Sequence, residues 1–228
     1  MAQLTDLGQG IFRAEKTAKN GFQMNMYVVR LADRGLLIQS PTWLGEDTFK
    51  LIDELGVPKL IFAPNHFHHL GITRYRAQYP SAMVVADKVA IPRLMKQGHQ
   101  NIHDLDEAKA LLPNGLHFLR CEGTKTGEAW VSVPGEGGPT WVTSDTFFNI
   151  QKPVPGVMGF ALKVLQVAPG PQISRIFRTI GLKDKAAYKA FALSALETEK
   201  PKRVLVSHGE PLLLENTSLL TDLINARL

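Results

Sequence analysis

The sequence predicts an α/β fold in which helices pack outside a layer of β-sheet within a single unit. Short continuous apolar runs are typical of buried strands, and segments with apolar residues at helical spacing alternate with them. Neither a linker nor a repeat of roughly 20–50 residues interrupts this alternation. A chain of 228 residues forms one large domain or two small ones and can bury a sizeable core. We therefore expect a single domain over 1–228.

The first half of the chain opens on a hairpin and continues as alternating helices and strands. Residues 24–39 carry two apolar runs around Asp33-Arg34-Gly35, whose Asp and Gly favour a tight turn. A helix over 46–55 is followed by a glycine and a proline, which commonly end helices. The elements predicted next are a strand over 59–63, a helix over 73–79, a strand over 82–86 and helices over 87–97 and 104–112. A proline inside the 87–97 pattern allows a kink there.

The second half changes first to short strands and then to helices. Between His117 and Thr143, three apolar segments (HFLRC, AWVSV and TWVT) are separated by glycine-rich turns, which predicts strands. The elements predicted after them are helices over 157–168 and 184–196, a strand over 203–207 and a terminal helix through Leu223.

The composition excludes several classes of protein. With 44% hydrophobic and 21% charged residues, the chain has the balance of an ordinary soluble globular protein. The single cysteine, Cys121, excludes a disulfide framework and any zinc module with several cysteines. The net charge of +5 favours anionic partners, but the basic residues are scattered without interleaved aromatic side chains, so we do not expect nucleic-acid binding.

No segment indicates export or a membrane. The first residues lack a basic start and an apolar core segment, so we expect no signal peptide. The most apolar stretch, residues 156–168, is interrupted by Lys163 and Gln166 and is shorter than the ~20 residues that span a bilayer. We therefore expect a cytoplasmic protein with no membrane partner.

Three predicted strands run directly into residues that bind metal ions. The strand ending at Ala63 leads to His66, His68 and His69, the strand through Thr143 leads to Asp145, and the strand through Val206 leads to His208. Ligand sites in open α/β sheets form beyond the carboxyl ends of strands. Imidazole nitrogen and carboxylate oxygen suit zinc and related divalent ions. The pattern therefore predicts a metal site of His66, His68, Asp145 and His208 at one edge of the sheet.

The segments that hold these residues resemble the motifs of the metallo-β-lactamase superfamily, in the superfamily's order and over most of the chain. The opening hairpin is similar to its first strands, and residues 65–71 (NHFHHLG) resemble its His-x-His-x-Asp-His loop. Residues 122–127 (EGTKTG) resemble its Pro-Gly-His-Thr-x-Gly turn. Residues 143–145 (TSD) are similar to its Gly-Asp strand end, and residues 206–209 (VSHG) to its closing Gly-His-Gly.

This resemblance implies an αββα sandwich of two mixed β-sheets flanked by helices, with one or two metal ions at the edge of the paired sheets. Members of the superfamily mostly hydrolyse esters, thioesters, amides or phosphodiesters. A bound cation serves this chemistry by lowering the pKa of water from about 15.7 towards about 7. In this chain the resemblance implies that Asp145 both binds the metal and orients the attacking water.

The chain also departs from the superfamily's pattern. The Asp and the last His of the loop fall on Leu70 and Gly71, which have no donor atom, and the His of the third motif falls on Thr124. We therefore expect one divalent ion, zinc before iron or manganese, and the loss of ligands also leaves open a site without metal. His69 and Thr124 are candidates to replace a lost ligand or to hydrogen-bond a remaining one.

Other interpretations of the same residues stay open. Asp145 also fits a turn cap, and Ser207-His208-Gly209 also fits a plain turn. The apolar segment 157–168 fits a buried core helix, a mobile lid hinged at Pro153 and Pro155, or a dimer contact. In the lid interpretation, residues 153–200 form a helical insert over the site.

Two functions of different classes follow. The first is a metal-dependent hydrolase of a small ester, thioester or phosphoester, with an anionic small molecule as substrate. The second is a protein of the same fold that has no catalytic activity and binds a small ligand or a protein partner. Neither choice decides the oligomeric state, and a homodimer remains open.

Overall fold

The computed structural model describes residues 3–17, 22–45, 47–151, 154 and 156–228. Three residues named above lie outside these ranges: Glu46, at the start of the first predicted helix, and Pro153 and Pro155, at the predicted hinge. Within the described ranges, mixed sheets are flanked by helices, as the sequence predicts.

The predicted elements occur in the expected order, and the structure adds elements that the sequence analysis did not predict, among them strands over Leu4–Asp6, Phe148–Ile150 and Gly170–Gln172. The elements are β1 (Leu4–Asp6), β2 (Ile11–Thr17), β3 (Gln23–Arg30), β4 (Gly35–Gln39), α1 (Asp47–Leu55), β5 (Val57–Ala63), α2 (Ile72–Gln78), β6 (Met83–Ala86), α3 (Ile91–Lys96), β7 (Ile102–Asp104), a 3₁₀ helix (Leu105–Leu111), β8 (His117–Arg120), β9 (Ala129–Val133), β10 (Thr140–Val142), β11 (Phe148–Ile150), α4 (Gly156–Val164), β12 (Gly170–Gln172), a π-helix (Phe177–Gly181), α5 (Lys185–Glu199), β13 (Arg203–Leu205), β14 (His208–Gly209), β15 (Leu212–Leu213) and α6 (Ser218–Arg227).

The strands form two large sheets and one small one. The first sheet runs β1 to β7 in chain order, antiparallel up to β4 and parallel from β4 to β7. The second has the order β15-β13-β10-β9-β8, in which only β10 and β13 are parallel. A third sheet, in the order β12-β11-β14, extends the fold beside the site described below.

Alternation along the strands gives each large sheet two apolar faces. In β5, Leu60 and Phe62 share an apolar cluster with Val131 of β9, so the two sheets pack face to face. Ile61 points to the other side, into a cluster that includes α1 and α2. Trp130 of β9 likewise points away from the first sheet, towards α5 and α6. The layers are therefore helix, sheet, sheet and helix.

The helices differ from the predicted ones mainly at their ends. Helix α3 begins at Ile91 instead of residue 87, because the Asp87 carboxylate accepts the Val89 N–H at 2.8 Å and holds the preceding residues in a turn. Pro92 falls in the first turn of α3, where its missing N–H costs no helical hydrogen bond, so the predicted kink does not arise there. Among the described residues, no helix is both long enough and apolar enough to cross a membrane.

Candidate metal centre

Three side chains from three separate segments of the chain meet at one edge of the paired sheets: two lie in loops, and His208 begins β14. Nε2 of His68 lies 3.0 Å from Oδ1 of Asp145, and Nε2 of His208 lies 3.3 Å from the same oxygen. One potential ligand atom from each of the three residues lies within 4.8 Å of those from the other two. Within the described ranges, this is the group of three or more His, Cys, Asp or Glu side chains that has the spacing of a metal site.

Side-chain amides join the two sheets at this edge. Gln39, at the end of β4, donates from Nε2 to the carbonyl of Thr143 at 2.9 Å. Asn25, near the start of β3, donates from Nδ2 to the carbonyls of Val206 at 2.8 Å and Gly209 at 2.7 Å. Both amides are buried, so these bonds satisfy their N–H groups; the carbonyl of Val206 also accepts from the hydroxyl of Tyr27 at 2.7 Å. These hydrogen bonds also hold the segments carrying Asp145 and His208 against the first sheet.

The orientation of His208 suits a metal ligand. Its Nδ1 lies 2.9 Å from the carbonyl oxygen of Gln23, which only accepts hydrogen bonds, so Nδ1 carries the proton in the neutral ring. Nε2 then presents its lone pair towards the other two side chains, which is the arrangement usual for a metal-binding histidine. The ring stacks on Phe148 at 5.1 Å between centroids, with 13° between the planes, and this contact limits its rotation.

The Asp145 carboxylate is the negative charge at the centre of the group. Burial alone would raise its pKa, but His68 and His208 hold the pKa well below its usual range. The pKa of His68 is correspondingly raised: burial works against the charged ring, and the neighbouring Asp145 outweighs it. Two imidazoles and one carboxylate fit the donor preferences of zinc, ferrous iron and manganese, and a set of three protein ligands leaves positions open for water or substrate.

A buried network of hydrogen bonds contacts Asp145 on the side away from the two histidines. The sequence analysis did not identify this network. Asn65 donates from Nδ2 to Oδ2 of Asp145 at 2.9 Å and to Oγ of Ser144 at 3.2 Å. The same amide lies 3.4 Å from Oε2 of Glu128, whose Oε1 accepts from Trp130 Nε1 at 2.9 Å and from Thr146 Oγ1 at 2.6 Å. Burial and the charge of Asp145 raise the pKa of Glu128 to about 7.

Faint sequence signals for this network exist. Asn65 stands at the strand end directly before His66, and Glu128 is the only charged residue next to an otherwise apolar strand, AWVSV. Neither signal shows that the two side chains meet, since that contact depends on the packing of one sheet on the other.

His66 lies outside the group of three. Its backbone N–H donates to the carbonyl of Thr126 at 3.2 Å, and its ring packs on Phe67 at 4.4 Å between centroids. Burial and the nearby Arg93 lower its pKa, so the ring is neutral at pH 7. Nδ1 of His66 is buried and has no hydrogen-bond partner among the described residues. The predicted role of His66 as a ligand stays a prediction.

The two candidate replacement residues point elsewhere. Nδ1 of His69 lies 2.9 Å from Nε2 of His99, so its ring is engaged with the segment after α3 instead of with Asp145. Oγ1 of Thr124 donates to the carbonyl of Cys121 at 3.0 Å and accepts the N–H of Glu128 at 3.2 Å, which closes the turn before β9. The structure therefore brings neither side chain into the group of three.

The two loop positions without donor atoms, Leu70 and Gly71, lack a ligand for different reasons. Leu70 is 86% exposed and offers only carbon. A Cβ on Gly71 would lie 2.1 Å from the carbonyl oxygen of Pro41, so any side chain there would displace backbone. At Gly71, a ligand for a second metal ion is therefore excluded by the packing of the loop, because no side chain fits there.

Two cavities meet at the candidate metal centre. The apolar cavity, of about 290 Å³, is lined mostly by carbon, including Phe67, Phe148, Leu162, Val167, Phe177 and Ile180. A second cavity, of about 510 Å³, lies on the other side and is the more polar of the two, so it is called the polar cavity. Carbon, including Met24, Pro41 and Leu70, still forms most of its lining, and Lys16, Asn25, Thr42 and His68 bring polar groups to it. Phe67, Asp145 and His208 line both cavities.

Comparison with known proteins gives matches in structure and none in sequence. No protein-family model and no curated protein matches the chain. Among solved structures, a metallo-β-lactamase from Pontibacter korlensis is similar with a TM-score of 0.66 and 11% identity, over 99% of both chains. The metallo-β-lactamase FIM-1 from Pseudomonas aeruginosa, in a mono-zinc form, is similar with a TM-score of 0.64 and 14% identity, over 99% of this chain and 95% of that one.

A third similar structure is a putative diflavin flavoprotein from Nostoc sp. PCC 7120, with a TM-score of 0.65 and 15% identity over 99% of this chain and 96% of that one. At these identities the similarity concerns the fold, which the motifs at the strand ends predict. The chain has the metallo-β-lactamase fold: two mixed sheets packed face to face, with helices on both outer faces.

Proposed function

We propose that this protein is a metal-dependent hydrolase that binds a single divalent ion, zinc in the first instance, through His68, Asp145 and His208. The observation that carries the proposal is the convergence of these three side chains from three strand ends. The fold, which metallo-β-lactamases share, supports it as well.

The donor set fits such an ion on its own chemistry. His208 has its Nδ1 proton committed to a carbonyl, Asp145 is ionised, and both groups turn a lone pair towards the same space. A divalent ion there would supply a Lewis acid and lower the pKa of water. His66 is neutral, interacts with the charge of Asp145 and has no hydrogen-bond partner for Nδ1 among the described residues, so it is a candidate to accept or pass on a proton at the border of the centre.

The residues around the centre suit a small substrate with an anionic part. Two neutral imidazoles and one carboxylate leave a bound divalent ion with a net charge near +1, which attracts an anionic oxygen. Helix α4 contributes Met158 and Leu162 to the wall of the apolar cavity, and the π-helix contributes Phe177 and Ile180. Of the predicted lid, residues 153–200, helix α5 packs against the second sheet, and we propose that α4 and the π-helix cover the site and restrict access of water to it.

Metal analysis tests the proposal directly. The purified protein is stripped with a chelator, incubated with zinc, iron(II) or manganese, desalted and measured by elemental analysis. We expect about one equivalent of metal in the parent protein. His208→Ala and Asp145→Asn lose it because each removes one of three ligands, and His103→Ala, which changes an exposed histidine paired with Glu107, retains it.

Turnover is then measured on a panel of small esters, thioesters and phosphoesters with stripped and reloaded protein. Activity that returns with the metal and is absent in His208→Ala supports the hydrolase. A protein that takes up no metal after reconstitution, or that holds it equally well in His208→Ala, contradicts the proposed centre. Metal binding without turnover on any of these substrate classes would favour the alternative of a ligand-binding protein of this fold.

A further inference from the structure

The apolar cavity is built to receive a hydrocarbon group. Leu162 of α4 and Phe148 of β11 belong to one apolar cluster, which forms the cavity's inner wall. Met158 and Ile180 lie at its rim and are 37% and 50% exposed. Asp145 and His208 contribute polar groups where the cavity reaches the candidate metal centre. An apolar group of a ligand that entered this cavity would leave water and contact carbon atoms over most of its surface.

The polar cavity is also lined mostly by carbon, but it carries more polar groups than the apolar cavity. The ammonium group of Lys16 lies at its edge, 3.0 Å from the carbonyl of Trp43. The hydroxyl of Ser40 is buried, and within the described ranges it has no hydrogen-bond partner. Ser40 also adopts a φ of +55°, a left-handed conformation that is unfavourable for a residue with a Cβ. The Ser40 hydroxyl is covered by protein atoms, so the charged group that faces a ligand in this cavity is the ammonium group of Lys16.

The two cavities share one wall. Because Phe67, Asp145 and His208 line both, a ligand that occupied the two cavities together would pass directly beside the candidate metal centre. The bond between its two parts would then lie next to the carboxylate and the imidazole. These shared residues are the reason for treating the cavities as two parts of one binding site.

We propose that the substrate is a two-part acyl ester or thioester, with an aliphatic acyl arm in the apolar cavity and an anionic oxygen group in the polar cavity. This proposal rests on the hydrolase function proposed above. Hydrolysis consumes one water: the acyl C–O or C–S bond breaks, the hydroxyl joins the acyl carbon, and the proton goes to the leaving oxygen or sulfur. The products are an aliphatic acid and an anionic alcohol or thiol.

N-acylglycines test the two arms without any turnover. They replace the ester by an amide and keep an aliphatic arm and a carboxylate, and their binding is measured by calorimetry on chelator-stripped protein. From N-butanoylglycine to N-octanoylglycine, we expect affinity to rise about fourfold per added methylene until the cavity is full. N-octanoylglycinamide, which lacks the negative charge, should bind more weakly than N-octanoylglycine.

Matched variants assign each arm to its cavity. Met158→Asp places a carboxylate at the rim of the apolar cavity, and Val157→Asp places the same charge one residue away, on a side chain that is 87% exposed and outside the lining. We expect Met158→Asp to weaken binding of N-octanoylglycine at least tenfold and Val157→Asp to leave it within about twofold. Ile180→Asp serves as a second rim variant if Met158→Asp melts at a lower temperature than the parent. Lys16→Gln should weaken the binding of N-octanoylglycine and leave the binding of N-octanoylglycinamide unchanged.

The outcomes separate this inference from the hydrolase proposal. Affinity that does not depend on chain length, or an equal effect of Met158→Asp and Val157→Asp, would overturn the two-part ligand even if the protein binds metal. Length-dependent binding by a protein that takes up no metal would refute the hydrolysis step and with it the substrate, while confirming that the cavities bind an acyl chain.

Discussion

Replacement of Glu128 by glutamine should change how stability depends on pH. Glu128 is 1% exposed, and its carboxylate accepts hydrogen bonds from Trp130 and Thr146. Burial, reinforced by the charge of Asp145, raises its pKa from the ordinary 4.5 to about 7. At about 1.4 kcal/mol per pH unit, the ionised side chain costs the native state about 3 kcal/mol.

The sign of the effect follows from proton binding in the two states. Below pH 4.5 the side chain is protonated in both the native and the unfolded protein, so it contributes no difference. Between 4.5 and about 7 the unfolded chain has lost the proton that the native state retains, and the free energy of unfolding therefore falls as pH rises. Above about 7 the full cost is present. About 2–3 kcal/mol of it develops between pH 5 and pH 8.

Urea denaturation of the metal-free parent and of Glu128→Gln at pH 5 and pH 8 measures this quantity. Glutamine stays neutral, and its amide oxygen can accept the same bonds. The free energy of unfolding of the variant, relative to that of the parent, should therefore be about 2–3 kcal/mol higher at pH 8 than at pH 5. The control is Glu136→Gln, which removes an exposed carboxylate from the turn between β9 and β10. Its free energy of unfolding should differ from that of the parent by the same amount at pH 5 and at pH 8. A Glu128→Gln variant whose difference from the parent is the same at pH 5 and pH 8 would refute the reasoning.

Two further variants probe the loop that carries His68. Gly71→Ala places a Cβ 2.1 Å from the Pro41 carbonyl oxygen, so the loop must shift. We expect the free energy of unfolding, measured by urea denaturation, to fall by about 1–3 kcal/mol and zinc binding to weaken. Unchanged stability would contradict the contact. His99→Ala leaves the His69 ring without its partner and should lower the free energy of unfolding by about 1–3 kcal/mol, while the metal content stays at the parent's level. Loss of metal would instead show that His69 and His99 belong to the metal centre.

Most of the fold was accessible from the sequence because its signals are local. The alternation in strands such as β9 and the continuous apolar run of β5 reflect the faces that each strand buries. The ends of helices were less accessible. The late start of α3 depends on a turn closed by the Asp87 side chain, and the helix predicted over 104–112 is a 3₁₀ helix held by a capping box at Asp104.

The site was accessible only in part. His68, Asp145 and His208 follow strand ends, and parallel pairing of β10 with β13 brings the last two to one edge. The direction in which a loop side chain turns is not local information. His69 turns to His99 and leaves Asp145, and the contact between Asn65 and Glu128 forms only when the two sheets pack.

The two oxygens of the Asp145 side chain have different tasks. Oδ1 faces both imidazoles, while Oδ2 is tied to the amide of Asn65. The hydrogen bond from Asn65 uses one lone pair of Oδ2 and favours the rotation of the carboxylate in which Oδ1 faces the two imidazoles. If a cation binds there as proposed, exchanging Asn65 for a residue without a donor would release Oδ2 and allow the carboxylate to turn a second oxygen towards the ion.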